Sequence, residues 1–526
     1  MAMDNENSAL STGDYLDNDA SHLSVPDTAS TAPQTPLAAS SRADSPEIST
    51  VPPATPSAVN PEAASSQSPV PKFTVDKRIN EDYKLWKKNI PFLYDVCLMT
   101  ATQFPSYTVD WVPESQTVTD EELGLEYVQQ KIVLGTTARN EEDVHLNGIV
   151  IMNVRFPAAI PDRFAHLDDK PTEFRSDIGL FSASPSCLFT CGIIAQSYPI
   201  TNVRIMPQRP QLVCAKLADS TMLVYDWKEE LEDGWSYDDP IVEKPGLFEL
   251  VGHDTKHPAS HGLAWNPTVQ KEGWLASCAK DGKILVWDVG GLRERAEVTP
   301  TVTITGHATS VEDIAWHPLY PTLIASAGAD NCFCLFDLRS RDLSRPSHSV
   351  VAHTAGVNAV SFARAQYLLA TASDDTTIGL WDMRYLGRKL HSLQYHTSDV
   401  FSLDWCHEPD QLTVLASGGA DRRICLWDVA QVGTTVERSV EVDAPPELVF
   451  VHGGHTGRVT DVGWNAVEGR KMVLASVAED AIVQVWMPAK YQLCTEEIPA
   501  AVEPPSEPLS STSSTAATTV AVAVES

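Results

Sequence analysis

The 526-residue chain has few cations: 38 Lys+Arg stand against 70 Asp+Glu, a formal net charge of −32. A protein that holds nucleic acid through its backbone needs a basic footprint, so this balance excludes direct nucleic-acid binding by bulk electrostatics. It points to basic protein partners or to solubility alone. The ten cysteines contain no CxxC pair and no repeated spacing with His, which argues against a zinc site and against a disulfide framework. They read as free, mostly buried thiols of a reducing compartment. No run approaches the ~18 apolar residues of a membrane helix, and the acidic start of the chain has no signal-peptide core. The sequence also lacks a nucleophile elbow, a glycine-rich phosphate loop and an HExxH motif, so neither catalysis nor a cofactor is expected.

The two ends are compositionally distinct. Residues 1–72 hold ten Pro and nine acids against Arg42 and Lys72, and residues 489–526 hold five Glu against Lys490. Segments this poor in large apolar groups are expected to be a disordered leader and tail. Residues 73–488 then carry a net −21, so most of the acidity belongs to the folded body. Residues 73–91 read as an amphipathic helix, with Val75, Ile79, Tyr83, Trp86 and Ile90 at helical spacing and Pro91 as its stop.

Beyond residue 92 the chain repeats. Five units run from a His to a Trp-Asp or its variant, beginning at His253, His307, His353, His396 and His455. Each has an Asp in the tight turn before its last strand: Asp281, Asp330, Asp375, Asp421 and Asp480. Alternating apolar strands lie between. This is the WD40 pattern of four strands per blade, and the recurring His and Asp are expected to be structural. Two weaker units, Tyr107–Val154 and Ile200–Trp227, bring the count to seven. The expected fold is all-β, a seven-bladed WD40 propeller over 92–488, with Leu93–Ala101 supplying the outer strand of the last blade.

One interval is irregular. His396 and His455 lie 59 residues apart, where the period is ~43 residues. The excess falls in 429–452, a stretch with Glu437, Glu441, Asp443 and Glu447 around Pro445-Pro446. An acidic, proline-stiffened insertion beside an amphipathic helix is a candidate groove for a basic helix of a partner.

Across 76–488 the chain resembles the histone-binding WD40 proteins, the small WD40 subunit of chromatin assembly factor 1 and its retinoblastoma-binding kin. The resemblance rests on the run Ile79–Asn89, on Pro91-Phe92-Leu93-Tyr94-Asp95, Met206-Pro207-Gln208, Pro346–Val350 and Asp421-Arg422-Arg423, and on Pro445–Leu448 continuing to His452-Gly453-Gly454-His455-Thr456. It implies a nuclear histone chaperone and scaffold without catalytic activity. Its implied partners are histone H4 (as the H3–H4 dimer) and subunits of chromatin-assembly, deacetylase, Polycomb-type or remodelling complexes, with no membrane and no homo-oligomer required. The implied H4 groove has Phe92, Leu93, Leu448, Phe450 and Val451 as its apolar wall, with Asp443 pairing a histone Arg and Glu441 assisting. Val440 stands where the family has an acid. A second implied site, for an extended basic peptide at the top of the channel, is matched by Glu312, Asp399, Phe401 and Glu479. There Pro199, Thr201, Ala259, His261 and Gly356 replace family residues that include several carboxylates, so a weakened top site is expected. The competing readings are an acidic WD40 escort of a ribosomal protein and a ubiquitin-ligase substrate receptor. The latter has Asp337-Leu338-Arg339 and Asp382-Met383-Arg384 in its favour, a pattern also common in the histone-binding family.

Overall fold

The computed structural model describes residues 72–120, 125–138, 147–157, 187–231, 245–257, 259–292, 294–364, 367–434, 444–467 and 472–489. The expected leader and tail lie outside these residues, apart from Lys72 and Ala489. The helix α1 (Lys72–Leu93) leads into the strand Tyr94–Ala101, and seven antiparallel sheets follow. Within each sheet the strands a to d run from the channel to the rim. Blade one is built from 106–120, 125–136, 147–157 and 188–196, and blade two from 200–205, 212–217, 222–226 and 248–250. The short strand Ala296–Val298 adds in parallel to the edge of blade two. Blades three to six begin at Ala259, Val311, Val357 and Val400. Blade seven takes its first three strands from 459–488 and its outer strand from Tyr94–Ala101, with Cys97 opposite Trp486. The expected closing strand is thus present.

The repeat residues account for the blades' stiffness. In blade seven His455 lies 3.4 Å from Asp480 through Nδ1 and 2.9 Å from the Ser476 hydroxyl through Nε2, and the Trp486 indole donates to that hydroxyl at 3.1 Å. A carboxylate only accepts, so Nδ1–H donates to it, Nε2 accepts from the hydroxyl, and the hydroxyl oxygen receives the indole proton. Blades five and six repeat the chain through His353–Thr371–Trp381 and His396–Ser417–Trp427. Blade four keeps His307, Asp330 and Ser326 but has Phe336 in place of the indole donor. In blade three His253 meets Asp281, while Trp287 donates to the Val251 carbonyl.

The same Asp residues hold the turns. Each is followed by a left-handed residue: Gly282, Asn331, Thr376, Arg422 and Ala481 have φ between 58° and 75°. That conformation costs a non-glycine residue about 1 kcal/mol. Each Asp offsets it by accepting from the backbone N–H two residues on, as Asp480 does from Ile482 at 3.1 Å. Asp219, before left-handed Ser220, accepts from Thr221 in the same way and is a sixth such turn, in blade two. Although burial opposes ionisation, hydrogen bonds from His455 and Thr456 hold Asp480 at about 2.

Two expectations need correction. The helix does not stop at Pro91 but continues to Leu93. Proline removes one i→i−4 bond, here to the carbonyl of exposed Lys87, which water can satisfy, while packing of Ile90 and Leu93 holds the last turn. Glu447 is not part of an open acidic loop: it is buried, and its carboxylate meets His391 Nε2 at 2.8 Å. The nine cysteines within the described residues are free thiols, six of them buried. No helix of the described residues is long and apolar enough to cross a membrane.

Candidate functional site

The seam between α1 and blades six and seven is closed by an aromatic box. Trp86 Nε1 donates to the Tyr94 hydroxyl at 2.8 Å, and that hydroxyl meets His452 Nδ1 at 2.9 Å. His452 stacks on Trp486 with centroids 4.3 Å apart and planes 7° from parallel. Tyr94 sits edge-on to Phe450 at 5.4 Å. Burial, and after it the neighbouring His455, hold the pKa of His452 well below 6.5, so its ring is neutral. Burial likewise raises the Tyr94 hydroxyl well above 10. The Gly453-Gly454 pair now has a reason: a Cβ on Gly454 would lie 2.6 Å from the Trp86 ring. The helix can descend onto the blade only where the chain beneath it has no side chain.

With Tyr83, Trp86 and Ile90 turned inward, α1 shows a second apolar line to solvent. Leu85 is 62% and Phe92 51% exposed, and their spacing of seven residues puts them on one face of the helix. Phe92 was expected from the sequence; Leu85 was not, although its i, i+7 relation to Phe92 is readable there. Leu93 packs with Phe450 in the cluster around Trp86 and Tyr94. Leu448 and Val451 belong to the cluster on the other side of blade six, with Trp405 and Trp427. A register shift of the outer strand between Leu426 and Trp427 accompanies this split. The structure therefore brings Leu93 and Phe450 together beside Phe92 on the helix end and turns Leu448 and Val451 toward blade five. The base of the insertion is fixed: Asp428 N–H donates to the Glu447 carbonyl at 2.8 Å, and Leu448 N–H to that of Pro445 at 3.1 Å. Glu441 and Asp443 lie outside the described residues.

The opposite end of the channel carries the other predicted residues. Glu312, Asp399 and Phe401 stand at or beside the starts of the first strands of blades four and six, and Glu479 in the second turn of blade seven. All four are partly exposed. Glu312 accepts from the Ser310 hydroxyl at 2.6 Å. Asp374, exposed and bonded to Asn358 at 2.6 Å, adds a carboxylate next to Gly356 that the sequence reading did not count. His261 bridges blades: its Nε2 lies 3.1 Å from the Tyr107 carbonyl, and its Nδ1 3.3 Å from Asn202 Nδ2. Within the channel wall Arg204 of blade two reaches Asp461 of blade seven at 3.1 Å, and Asp461 also accepts from Val109 N–H and the Ser402 hydroxyl. Burial pushes the nearby Asp404 up to about 7 and Asp110 up to about 6. These groups tie first strands together rather than offering an open reaction centre, and among the described residues no His, Cys, Asp and Glu cluster is arranged to hold a metal.

Residues 81–158 match the family model described as histone-binding protein RBBP4 or a component of the CAF1 complex. This segment covers most of α1, the closing strand and the first three strands of blade one. Residues 247–288, 298–337, 344–382 and 387–428 match that of the WD domain, G-beta repeat. Each of these spans the rim strand of one blade and the first three strands of the next, ending on the Asp after its third strand.

Proposed function

Because the chain is a member of the histone-binding WD40 family, with a histone as its partner, we propose that it grips the first helix of histone H4 in the groove between α1 and the Pro445-Pro446 insertion. The observation that carries this reading is the Leu85–Phe92 line, apolar and exposed on a helix whose other face is locked down by Trp86 and Tyr94. A basic amphipathic helix would lay its apolar side along Phe92 and Leu93, over the aromatic box. Its arginines would meet Asp443, assisted by Glu441, because an Arg–carboxylate pair fixes direction as well as charge. Rigid support on both sides lowers the ordering cost of binding: α1 is pinned to blade seven, and the insertion is pinned at Glu447 by His391.

In this reading the propeller is a nuclear chaperone and scaffold of chromatin assembly or modifying complexes. Its face at the channel mouth holds extended basic peptides more weakly than the groove holds H4. The hydrogen-bonded lock of His261 with Tyr107 and Asn202 supports that ranking.

Calorimetric titration with an H4 first-helix peptide tests the groove. The pair Phe92→Ala and Asp443→Ala removes one apolar anchor and one charge partner and should lower affinity by about 100-fold or more. Unchanged affinity would remove both residues from the site. An H3 N-terminal peptide bound as tightly as H4 would overturn the ranking of the two sites.

A further inference from the structure

The end of the propeller that holds the a–b and c–d loops inverts the charge of the chain at blades four and five. The c–d loop of blade four, 338–347, has three Arg and one Asp. The a–b and c–d loops of blade five, 363–367 and 383–390, add three Arg and one Lys and no acid. With the strand-end Asp337 and Asp382 included, seven cations face three carboxylates, on a protein whose net charge is −32.

The same end concentrates exposed apolar groups. Five of the ten large hydrophobic side chains exposed among the described residues lie here: Leu319, Tyr320, Tyr367, Tyr385 and Leu390. Tyr385 is 63% exposed. Antiparallel pairing puts these loops at one end, and hydrogen bonds join them within each blade, Leu338 N–H to Thr322 O at 2.9 Å and Met383 N–H to Tyr367 O at 2.8 Å. His317 joins the two blades, with its ring 4.6 Å from Tyr320 and 4.9 Å from Phe362.

Two of the cations are engaged at home. Arg339 and Arg384 fold back onto Asp337 and Asp382 at 2.5 and 2.6 Å, and Arg384 also covers Tyr367 at 4.5 Å. Arg341, Arg345, Arg364 and Arg388 remain exposed around the aromatic groups, with Arg345 only 4.0 Å from its nearest carboxylate, Asp342. We infer that this face of blades four and five is a second docking surface, and that its occupant is an acidic polypeptide segment carrying aromatic or aliphatic anchors. Charge complementarity selects the acid, and the exposed Tyr and Leu groups between the arginines select the anchors. A nucleic acid fits worse, because its uniform charge would meet the field of a strongly acidic body. This surface lies apart from the proposed histone groove and takes the opposite charge.

Fluorescence anisotropy on the full chain tests the inference. The probe is a labelled synthetic peptide of about twelve residues, half Asp or Glu and a quarter Phe or Leu, which should bind with a Kd of about 1–100 μM at ~0.05 M salt. The triple reversal Arg341→Glu, Arg345→Glu, Arg388→Glu should weaken binding by about tenfold or more, and so should Tyr385→Ser with Leu390→Ser. Thermal unfolding should shift little in either variant, since every altered side chain is at the surface. Binding of the H4 peptide should be unchanged in both, which separates this surface from the groove. Four results would overturn the inference: no saturable binding, equal binding of the peptide with Asn and Gln in place of its acids, affinity untouched by either variant, or a short DNA duplex bound at least as tightly.

Discussion

Replacing Trp86 by Ala should release α1 while leaving the ring closed. Trp86 is 8% exposed, touches Tyr83, Tyr94 and His452 through its ring, and donates to the Tyr94 hydroxyl at 2.8 Å. Emptying a buried Trp site costs ~3–5 kcal/mol. The helix rests on the blade through few other deeply buried side chains, chiefly Ile90, so a loss of that size exceeds what the remaining contacts can hold. The cost should therefore appear as local opening rather than as global unfolding. Hydrogen exchange would show amides of 79–92 losing protection by a factor of about 100 or more, with strands 474–478 and 482–488 unchanged. Binding of an H4 peptide should fall in parallel, because the exposed Leu85–Phe92 line would no longer have a fixed position. Trp86→Phe keeps most of the ring area and loses only the donated hydrogen bond, and should cost ~1 kcal/mol. If Trp86→Ala opened blade seven together with the helix, Trp86 would be a component of the propeller core and this account of the seam would fail. If the helix opened and H4 affinity fell by less than about threefold, the groove would not need α1.

Two further outcomes follow from the fold. Ser476→Ala should cost ~2–4 kcal/mol in denaturant unfolding, since it strands both the His455 acceptor and the Trp486 donor. Ser326→Ala should cost about 1 kcal/mol less, because Phe336 has no proton to lose, and equal costs would show that the indole bond contributes nothing. The titration of the channel wall should set the pH optimum. Asp404 rises from 3.8 to about 7, so the folded state binds more protons than the unfolded chain between those values and stability falls as pH rises through that window. Asp281, Asp375 and Asp480, held at about 2, work in the opposite sense and withdraw their contribution as pH falls below about 4. Melting temperature should therefore peak at about pH 4–6. Asp404→Asn should flatten its decline toward pH 8, a change of ~1–3 kcal/mol after allowance for channel water. An unaltered slope in that variant would assign the decline to other groups.

The propeller was legible because its signals are local and recur. His, turn Asp and Trp return in successive blades, and each residue has one partner within the same blade, so spacing alone carries the geometry. Blade two, where Asp219 has its turn but no matching His, was correspondingly weak. The helix was legible from its inward stripe, and the closing strand from the need to end the last sheet. Three other features depend on contacts made across hundreds of residues. That Gly454 yields to Trp86, that Glu447 turns inward to His391, and that Leu448 and Phe450 part to opposite sides of one strand are decided by which elements meet. Pro91 misled for a related reason: the local rule for stopping a helix was outweighed by tertiary packing of the turn that follows it.

The closing strand has a consequence in time. Tyr94 and His452, which share a hydrogen bond, are 358 residues apart in the chain. Bringing ends so distant together costs ~5 kcal/mol in chain entropy, and the strand's partners are the last of the propeller to leave the ribosome. Folding of the ring is thus a high-contact-order event that cannot finish before synthesis has passed residue 488. The groove straddles that seam, so it does not exist in any nascent or partly folded form. An affinity for H4 in this protein doubles as a report that the chain is complete and the circle shut.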